Sequence, residues 1–217
     1  MTSRHATAPL ALAAALMAWG PTAAAQGQIA PPRPEPPVAI PEPPQALAPP
    51  GSLAVDEGRE EEIDALLAAL ARAEAGEWKP IQGRIMAHWS RAESPAMTLL
   101  LARATRSMEE EKYEKALEFL DDLVRLAPEF AEGWNRRATV HFLRKDYGRA
   151  LADIQRTLAL EPRHFGALSG LGIILDRLDR DEDALRVFRR ALEIHPNLEG
   201  AQEAVERLVP EVEGRPL

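Results

Sequence analysis

The chain has 217 residues, of which 34 are acidic and 26 are Lys or Arg, so its formal net charge is −8. This acidity argues against a nucleic-acid partner, because phosphate contacts need a basic face. The chain has no cysteine, which excludes disulfides, thiolate nucleophiles and thiolate metal ligands. A chain of this composition must fold by packing alone.

Residues 1–25 are typical of a secretory signal peptide. Arg4 precedes an apolar stretch at residues 10–19, and three alanines follow at residues 23–25. We expect cleavage between Ala25 and Gln26 and a periplasmic or secreted product; an uncleaved amphipathic anchor is the alternative. No later stretch approaches the roughly 18 apolar residues of a membrane helix, so we expect no stable membrane insertion after cleavage.

Residues 26–57 are predicted to be a disordered, proline-rich linker. Prolines recur there in pairs, and such composition favours an extended polyproline conformation over a helix or a sheet interior. The favoured interpretation is a semi-rigid tether. A docking ligand for a proline-reading domain is the alternative.

Residues 58–94 are predicted to form a helix hairpin. The acids at residues 60–62 suit a helix N-terminus, and apolar residues follow them at helical spacing. Gly76 is the predicted stop of the first helix, and Pro80 is the predicted start of the second. The length of this hairpin is close to that of the repeated units that follow it in the chain. It is therefore predicted to be a degenerate repeat or an N-terminal cap.

One 34-residue pattern then occurs three times without a slip, at residues 97–130, 131–164 and 165–198. In each unit a large apolar residue is followed four positions later by a small one, and then by a second small residue, a second apolar residue and a closing proline. These positions hold Leu100, Ala104, Ala116, Leu120 and Pro128; Trp134, Ala138, Ala150, Ile154 and Pro162; and Leu168, Gly172, Ala184, Phe188 and Pro196. A fixed period of this length indicates stacked helix hairpins.

The residue types within each unit predict how its helices pack. Small residues that face each other let two helix axes approach closely, so a bulky side chain at Gly172 should force them apart. Trp134 is predicted to fill the largest core position of the middle unit, and the prolines are predicted to end the second helices. A capping helix is predicted at residues 199–209, ended by Pro210, with a frayed tail at residues 210–217.

This order of large, small, small, apolar and proline residues resembles the tetratricopeptide repeat family over roughly half of the chain. The resemblance implies an all-α, right-handed α-solenoid of stacked antiparallel hairpins, whose first helices line a concave groove. In the middle unit the implied groove positions are Glu132, Asn135, Thr139 and Phe142. The candidate peptide-binding residues are Asn135, Arg136, Thr139, Phe142, Ile173 and Arg177. An asparagine in that groove can bond both the N–H and the C=O of an extended peptide.

Chaperone-binding members of the family hold a C-terminal carboxylate with lysine, asparagine and arginine side chains at fixed groove positions. The corresponding residues here are Leu101, Thr105, Arg136, Gly166 and Gly170. That carboxylate clamp is therefore absent from this chain. The sequence does not support a ligand that is held by its C-terminal carboxylate.

The sequence contains no recognisable catalytic or metal-binding constellation. None of His88, His141, His164 and His195 is spaced from another histidine or from acids as in a metal motif. A packed core histidine is the favoured interpretation of His141. No nucleophile, base and orienting group can be assembled, so we predict no active site and no cofactor.

Two functional hypotheses follow. The first is a non-catalytic interaction module or adaptor of the bacterial cell envelope, which binds a peptide or helix of a partner protein in the groove. The second is a self-associating structural or assembly scaffold of the periplasm, so a homo-oligomer stays open. Light scattering on the mature chain separates the two.

Overall fold

The computed structural model describes residues 53–74 and 76–214, and within them it has nine α-helices and no strand. The helices are α1 (Leu53–Leu70), α2 (Trp78–Trp89), α3 (Pro95–Glu109), α4 (Tyr113–Leu126), α5 (Ala131–Leu143), α6 (Tyr147–Leu160), α7 (Phe165–Arg177), α8 (Asp181–Ile194) and α9 (Glu199–Val212). The predicted signal peptide, the linker up to residue 52 and the end of the tail at residues 215–217 lie outside the described residues. The predicted all-α solenoid is confirmed, with α3 to α8 forming three consecutive hairpins.

The second helix of each repeat ends two residues before the closing proline. A proline disfavours the helical conformation in the residue before it and cannot donate the next backbone hydrogen bond. Each second helix therefore gives way to a short loop before the next repeat begins. We call these the inter-repeat loops, and they are residues 127–130, 161–164 and 195–198.

The turn inside each hairpin uses a residue in the left-handed region. Glu111, Lys145 and Asp179 have φ values of 56°, 62° and 56°, and they occupy the same position of three successive repeats. In the middle repeat the amide of Asp146 then donates to the carbonyl of His141 at 2.9 Å. This bond is part of the helix-ending arrangement that a glycine in the left-handed region commonly forms. With their three similar φ values, the turns share one geometry.

Gly172 and Phe188 are matched in size where the two helices of the third repeat cross. A Cβ built on Gly172 would lie 2.7 Å from Cε1 of the buried Phe188 ring, which is closer than real Cβ contacts come. The middle repeat pairs Ala138 with Ile154 at the same two positions. A larger residue on the second helix is thus accompanied by a smaller one on the first.

We expect Gly172→Ala to lower the free energy of unfolding by about 1 kcal/mol, because the overpacking cost exceeds the gain in helix propensity. Adding Phe188→Leu should recover part of this loss by making room for the new methyl group. A double-mutant cycle in urea unfolding measures the compensation. Strictly additive effects of the two substitutions would show that the residues do not share one packing site.

Trp134 does not fill the core position predicted for it. Its ring is half-buried, Nε1 donates to the carbonyl of Pro128 at 2.9 Å, and the Arg137 guanidinium lies 4.8 Å from the ring centroid. Arg137 is itself anchored to the buried Asp153 of α6, with Nε 2.8 Å from Oδ2. The tryptophan therefore packs on a guanidinium instead of entering the core, whereas Val140 of the same helix is fully buried.

The first hairpin begins earlier than predicted. α1 starts at Leu53, so residues 53–57 belong to this helix and not to the linker. The last proline of the linker is Pro50, and nothing in the residues after it opposes a helix. α2 starts at Trp78, which places Pro80 within the first turn, where a proline is tolerated.

The α1–α2 hairpin does not stack on the first repeat as a further repeat or a cap would. On the outer face of α3, Leu99 is 51% exposed and Arg106 is also exposed. Arg106 occupies the position at which α5 and α7 carry the buried Val140 and Ile174. Burying a guanidinium in that helix interface would be costly, so α3 is the first layer of the array and the hairpin packs elsewhere.

The last helix continues past the residue predicted to end it. α9 packs on α8 through Ala201 and Leu208 and extends to Val212, with Pro210 inside it. A proline inside a helix lacks the N–H for one backbone hydrogen bond and crowds the preceding turn. The amide of Glu213 donates to the carbonyl of Val209 at 2.8 Å, so the final turn resumes after the proline.

Candidate functional site

The α1–α2 hairpin lies on the inter-repeat loops of the array. Its apolar cluster consists of Ile63, Leu66, Leu67, Leu70, Ile85 and Trp89. Phe165, the first residue of α7, completes the cluster, and Ile194 at the end of α8 packs against it. The hairpin therefore shares one core with the third repeat.

Two aromatic contacts hold α2 against the loops. The Trp89 ring stacks on the His164 ring with their centroids 4.2 Å apart, and Trp78 meets His195 edge-on at 5.2 Å. Trp78 and Trp89 are 11 residues apart and so lie on one face of α2. These pairs give the interface a defined register as well as apolar burial.

Polar contacts complete the hairpin interface. His195 Nε2 lies 3.0 Å from Oε1 of Gln82, and the Asn197 side chain donates to the carbonyl of Ala73 at 2.9 Å. Arg163 forms an ion pair with Asp64 of α1. The hairpin is therefore fixed to two successive inter-repeat loops.

The hairpin forms one wall of a pocket of about 360 Å³ between α2, α5 and α7, which we call the groove pocket. Met86 and Gln82 of α2 line one side, next to Phe165 at the start of α7. Four of the six predicted groove residues also line it, namely Asn135, Thr139, Phe142 and Ile173. The first helices of the second and third repeats thus meet at one site, and α2 was not predicted to contribute to it.

Arg136 and Asn135 are both directed to Glu132. Arg136 Nε donates to Glu132 Oε1 at 2.5 Å, and Asn135 Nδ2 donates to Glu132 Oε2 at 2.9 Å. Arg136 does not line the groove pocket. Asn135 thus uses one amide hydrogen for Glu132, and its second amide hydrogen and its Oδ1 remain for the predicted two-point contact with a peptide backbone.

Glu132 is the buried centre of this network, although the repeat pattern placed it among the groove positions. It is 1% exposed. His164 Nδ1 accepts the Ala167 amide at 3.1 Å, so Nε2 carries the ring proton and donates to Glu132 at 3.2 Å. Burial alone raises the pKa of Glu132, but the hydrogen bond from His164 and the charge of Arg136 hold that pKa below its ordinary value. The carboxylate is therefore ionised and fully bonded at neutral pH.

The other end of the groove pocket is apolar, and Arg177 lies beside it without being one of the residues that line it. Ile173 is 38% exposed, and Phe142 is half-buried beside it. The Arg177 guanidinium lies 5.3 Å from the centroid of the Phe142 ring. Thr139 contributes little polarity, because its hydroxyl donates to the carbonyl of Asn135 at 3.0 Å.

His164 and His195 are the site residues that sequence reasoning missed. Both lie in inter-repeat loops, and the sequence pattern addressed them only as metal ligands, which it did not support. One available signal was the pair of tryptophans on one face of α2, which needed an aromatic or apolar surface to pack on. No repeat pattern shows which surface that is, because the contacts join residues far apart in the chain.

We expect acidification below about pH 6.5 to loosen the hairpin from the array. Burial lowers the pKa of His195, and burial with the charge of Arg59 lowers the pKa of His88 despite the nearby Glu62. Glu60 also raises the pKa of His88 and Arg91 lowers it, while Gln82, Trp78 and Phe165 face His195 without charge. The folded chain therefore binds fewer protons than the unfolded chain, and stability falls as pH drops through this range.

The indole resonances of Trp78 and Trp89 in a pH titration by NMR measure this loosening. His195→Gln should retain the Gln82 contact without a titrating group and should reduce the acid response. If the indole resonances of the wild type stay unchanged down to pH values where the array itself unfolds, the two histidines do not control docking.

The described residues contain no helix long and apolar enough to cross a membrane. They also contain no group of three or more His, Asp or Glu side chains arranged to hold a metal ion.

Known proteins resemble this chain in its repeats and in its fold. The family model described as tetratricopeptide repeat matches residues 101–156 and 146–199. A TPR repeat-containing protein of Rhizobium etli is 36% identical over 156 residues, which are 71% of this chain and 76% of that protein.

Two solved structures share the fold at lower identity. The first TPR of Spaghetti, bound to an HSP90 peptide, has a TM-score of 0.53 and 21% identity, covering 56% of this chain and 97% of that one. The crystal structure of MamA has a TM-score of 0.51 and 18% identity, covering 76% of this chain and 86% of that one. With its repeats, its helical array and its relative in Rhizobium etli, the chain belongs to the tetratricopeptide repeat family, whose domains are protein–protein interaction modules.

Proposed function

We propose that this chain is a non-catalytic adaptor of the bacterial cell envelope, which holds a peptide or helix of a partner protein in the groove pocket. The signal-like pattern of residues 1–25 supports export, and the similarity to a Rhizobium etli protein supports a bacterial setting. The observation that carries the binding proposal is the groove pocket, whose exposed Ile173 and half-buried Phe142 leave apolar surface open to a ligand.

A peptide ligand also agrees with the comparison, since the first TPR of Spaghetti was solved with an HSP90 peptide. This chain has Leu101 and Thr105 where chaperone-binding members carry clamp residues. The proposed ligand is therefore an internal segment of its partner and not a C-terminal carboxylate.

Self-association is the second candidate, and Leu99 on the outer face of α3 is the observation that favours it. Leu99 is 51% exposed where a further layer could stack. Stacking two identical faces would bring Arg103 and Arg106 of both copies together, and both arginines are exposed. This repulsion makes the adaptor the better supported function.

Affinity capture from an envelope extract tests the adaptor, with the full-length chain purified as the cell processes it. The test bait carries Ile173→Glu in the groove pocket. The matched control carries Leu178→Glu, because Leu178 is 42% exposed just after α7 and does not line the pocket. We expect a partner that binds the wild type and the control and is lost by Ile173→Glu.

Equal retention of that partner by all three baits would overturn groove binding. Retention of nothing, with light scattering that shows an oligomer, would favour the scaffold. A clean monomer in light scattering would exclude the self-associating scaffold.

A further inference from the structure

The α2 wall is a built part of the groove pocket. Met86 and Gln82 line the pocket, while Trp89 on the same helix stacks on His164. Gln82 also contacts His195 at 3.0 Å. Because both loops hold α2 in place, the wall is present before a ligand arrives, and a ligand that uses it need not order it.

The interior of the groove pocket favours an apolar group. Asn135 donates to Glu132, Thr139 donates to a backbone carbonyl and Gln82 is engaged with His195, so these three polar side chains each have one partner already. Phe142 and Phe165 are among the apolar residues that line the rest. An apolar side chain can enter this space without breaking any of these three contacts.

The size of the groove pocket limits what can enter it. Along α7 it extends from Phe165 to Ile174, which is about 13.5 Å at the helical rise per residue. With a volume of about 360 Å³, it has room for a large apolar side chain and its immediate backbone.

Arg177 gives the mouth of the groove pocket a preference for an anionic group on the ligand. Its guanidinium lies over the Phe142 ring, and it forms no ion pair within the part of the chain that the structure describes. The neighbouring Asp176 is already paired with Arg207 of α9 at 2.8 Å. An acidic group on the ligand, next to the apolar anchor, would complement this cation.

We infer that the hairpin and the array form a composite pocket, which takes one large apolar side chain of a partner segment with Met86 as its wall and places an adjacent Asp or Glu of that segment against Arg177. This inference rests on the proposed function and specifies its ligand. The partner segment is an internal acidic–apolar peptide, and α2 is part of its binding site.

Selection from a library of short peptides with blocked termini, against the purified full-length chain, tests the inference. Blocked termini remove any contribution from a terminal carboxylate. We expect the selected peptides to share one Leu, Ile, Met or Phe next to an Asp or Glu. The absence of any selected peptide would overturn both the proposed function and this inference.

A selected peptide is then measured against variants of α2. We expect Met86→Glu to weaken binding at least about tenfold, and we expect its matched control Ala87→Glu, on the exposed side of α2, to bind as the wild type does. Met86→Trp fills the same space without a charge and should also lose binding. The Trp89 indole resonance establishes in each variant that the hairpin is still docked.

A double-mutant cycle measures the contribution of Arg177. The affinities of the wild type and of Arg177→Gln are compared for the selected peptide and for the same peptide with its Asp or Glu replaced by Asn or Gln. We expect a coupling of about two- to fivefold in affinity, as for an exposed ion pair. Loss of binding with Ile173→Glu but not with either Met86 variant would leave the proposed function standing and overturn the composite pocket. A cycle without coupling would overturn the acidic contact.

Discussion

Phe188→Ala is expected to lower the free energy of unfolding by about 3 to 5 kcal/mol. The Phe188 side chain is 1% exposed and belongs to the cluster that joins α5 to α9. Its ring packs against Gly172, which has no side chain to move into the space that alanine would leave. The cavity should therefore stay open, which places the loss at the upper end for a truncated aromatic residue.

Urea unfolding followed by circular dichroism measures this loss. Because each layer of a repeat array contacts only its neighbours, α7 and α9 should lose protection from hydrogen exchange together with α8. Leu178→Ala is the control, since Leu178 is exposed and its truncation should change stability by less than about 0.5 kcal/mol. A loss for Phe188→Ala no larger than that of the control would mean that the ring does not fill the core.

Glu132→Ala is expected to lower the free energy of unfolding by about 3 kcal/mol at neutral pH. The substitution leaves the buried Nε2–H of His164 without an acceptor and removes the ion-pair partner of the half-buried Arg136. Glu132→Gln should lose less, because its amide oxygen can still accept from His164. Glu118→Gln changes an exposed carboxylate on α4 and serves as the control.

The pH dependence of this effect has a definite sign. The folded-state pKa of Glu132 is lowered, so the stabilisation from its carboxylate is complete above the ordinary value near 4.3 and is lost as pH falls through the lowered pKa. Urea unfolding of the wild type and of Glu132→Gln should therefore converge as the solution is acidified below about pH 4. A difference between the two proteins that is constant with pH would contradict an ionised, bonded Glu132.

Phe188 and Glu132 stabilise different parts of the structure. Phe188 stabilises packing within the array, whereas Glu132 and His164 connect the array to Trp89 of the hairpin. We expect Glu132→Ala, unlike Phe188→Ala, to reduce binding of any ligand that needs the α2 wall. Stability and ligand affinity measured on the same two variants separate these roles.

The sequence by itself determined the array, because each repeat is specified by residues close together in the chain. The 34-residue period, the small residues at the helix crossings and the three prolines predict the hairpins, although not that Gly172 faces the Phe188 ring instead of another small residue. Most of the groove line was predictable too, since Asn135, Thr139, Phe142 and Ile173 follow from helical periodicity on two neighbouring helices.

Only the tertiary structure decided where the α1–α2 hairpin packs and which groove residues are free. Periodicity identifies the apolar face of a helix but not the surface that covers it, and here Trp89 meets His164 across 75 residues of sequence. The same His164 donates to the buried Glu132, and Asn135 and Arg136 are engaged because a carboxylate taken out of water must collect donors from its neighbours. The repeats are thus a local property of this chain, while the groove pocket arises from contacts between distant segments.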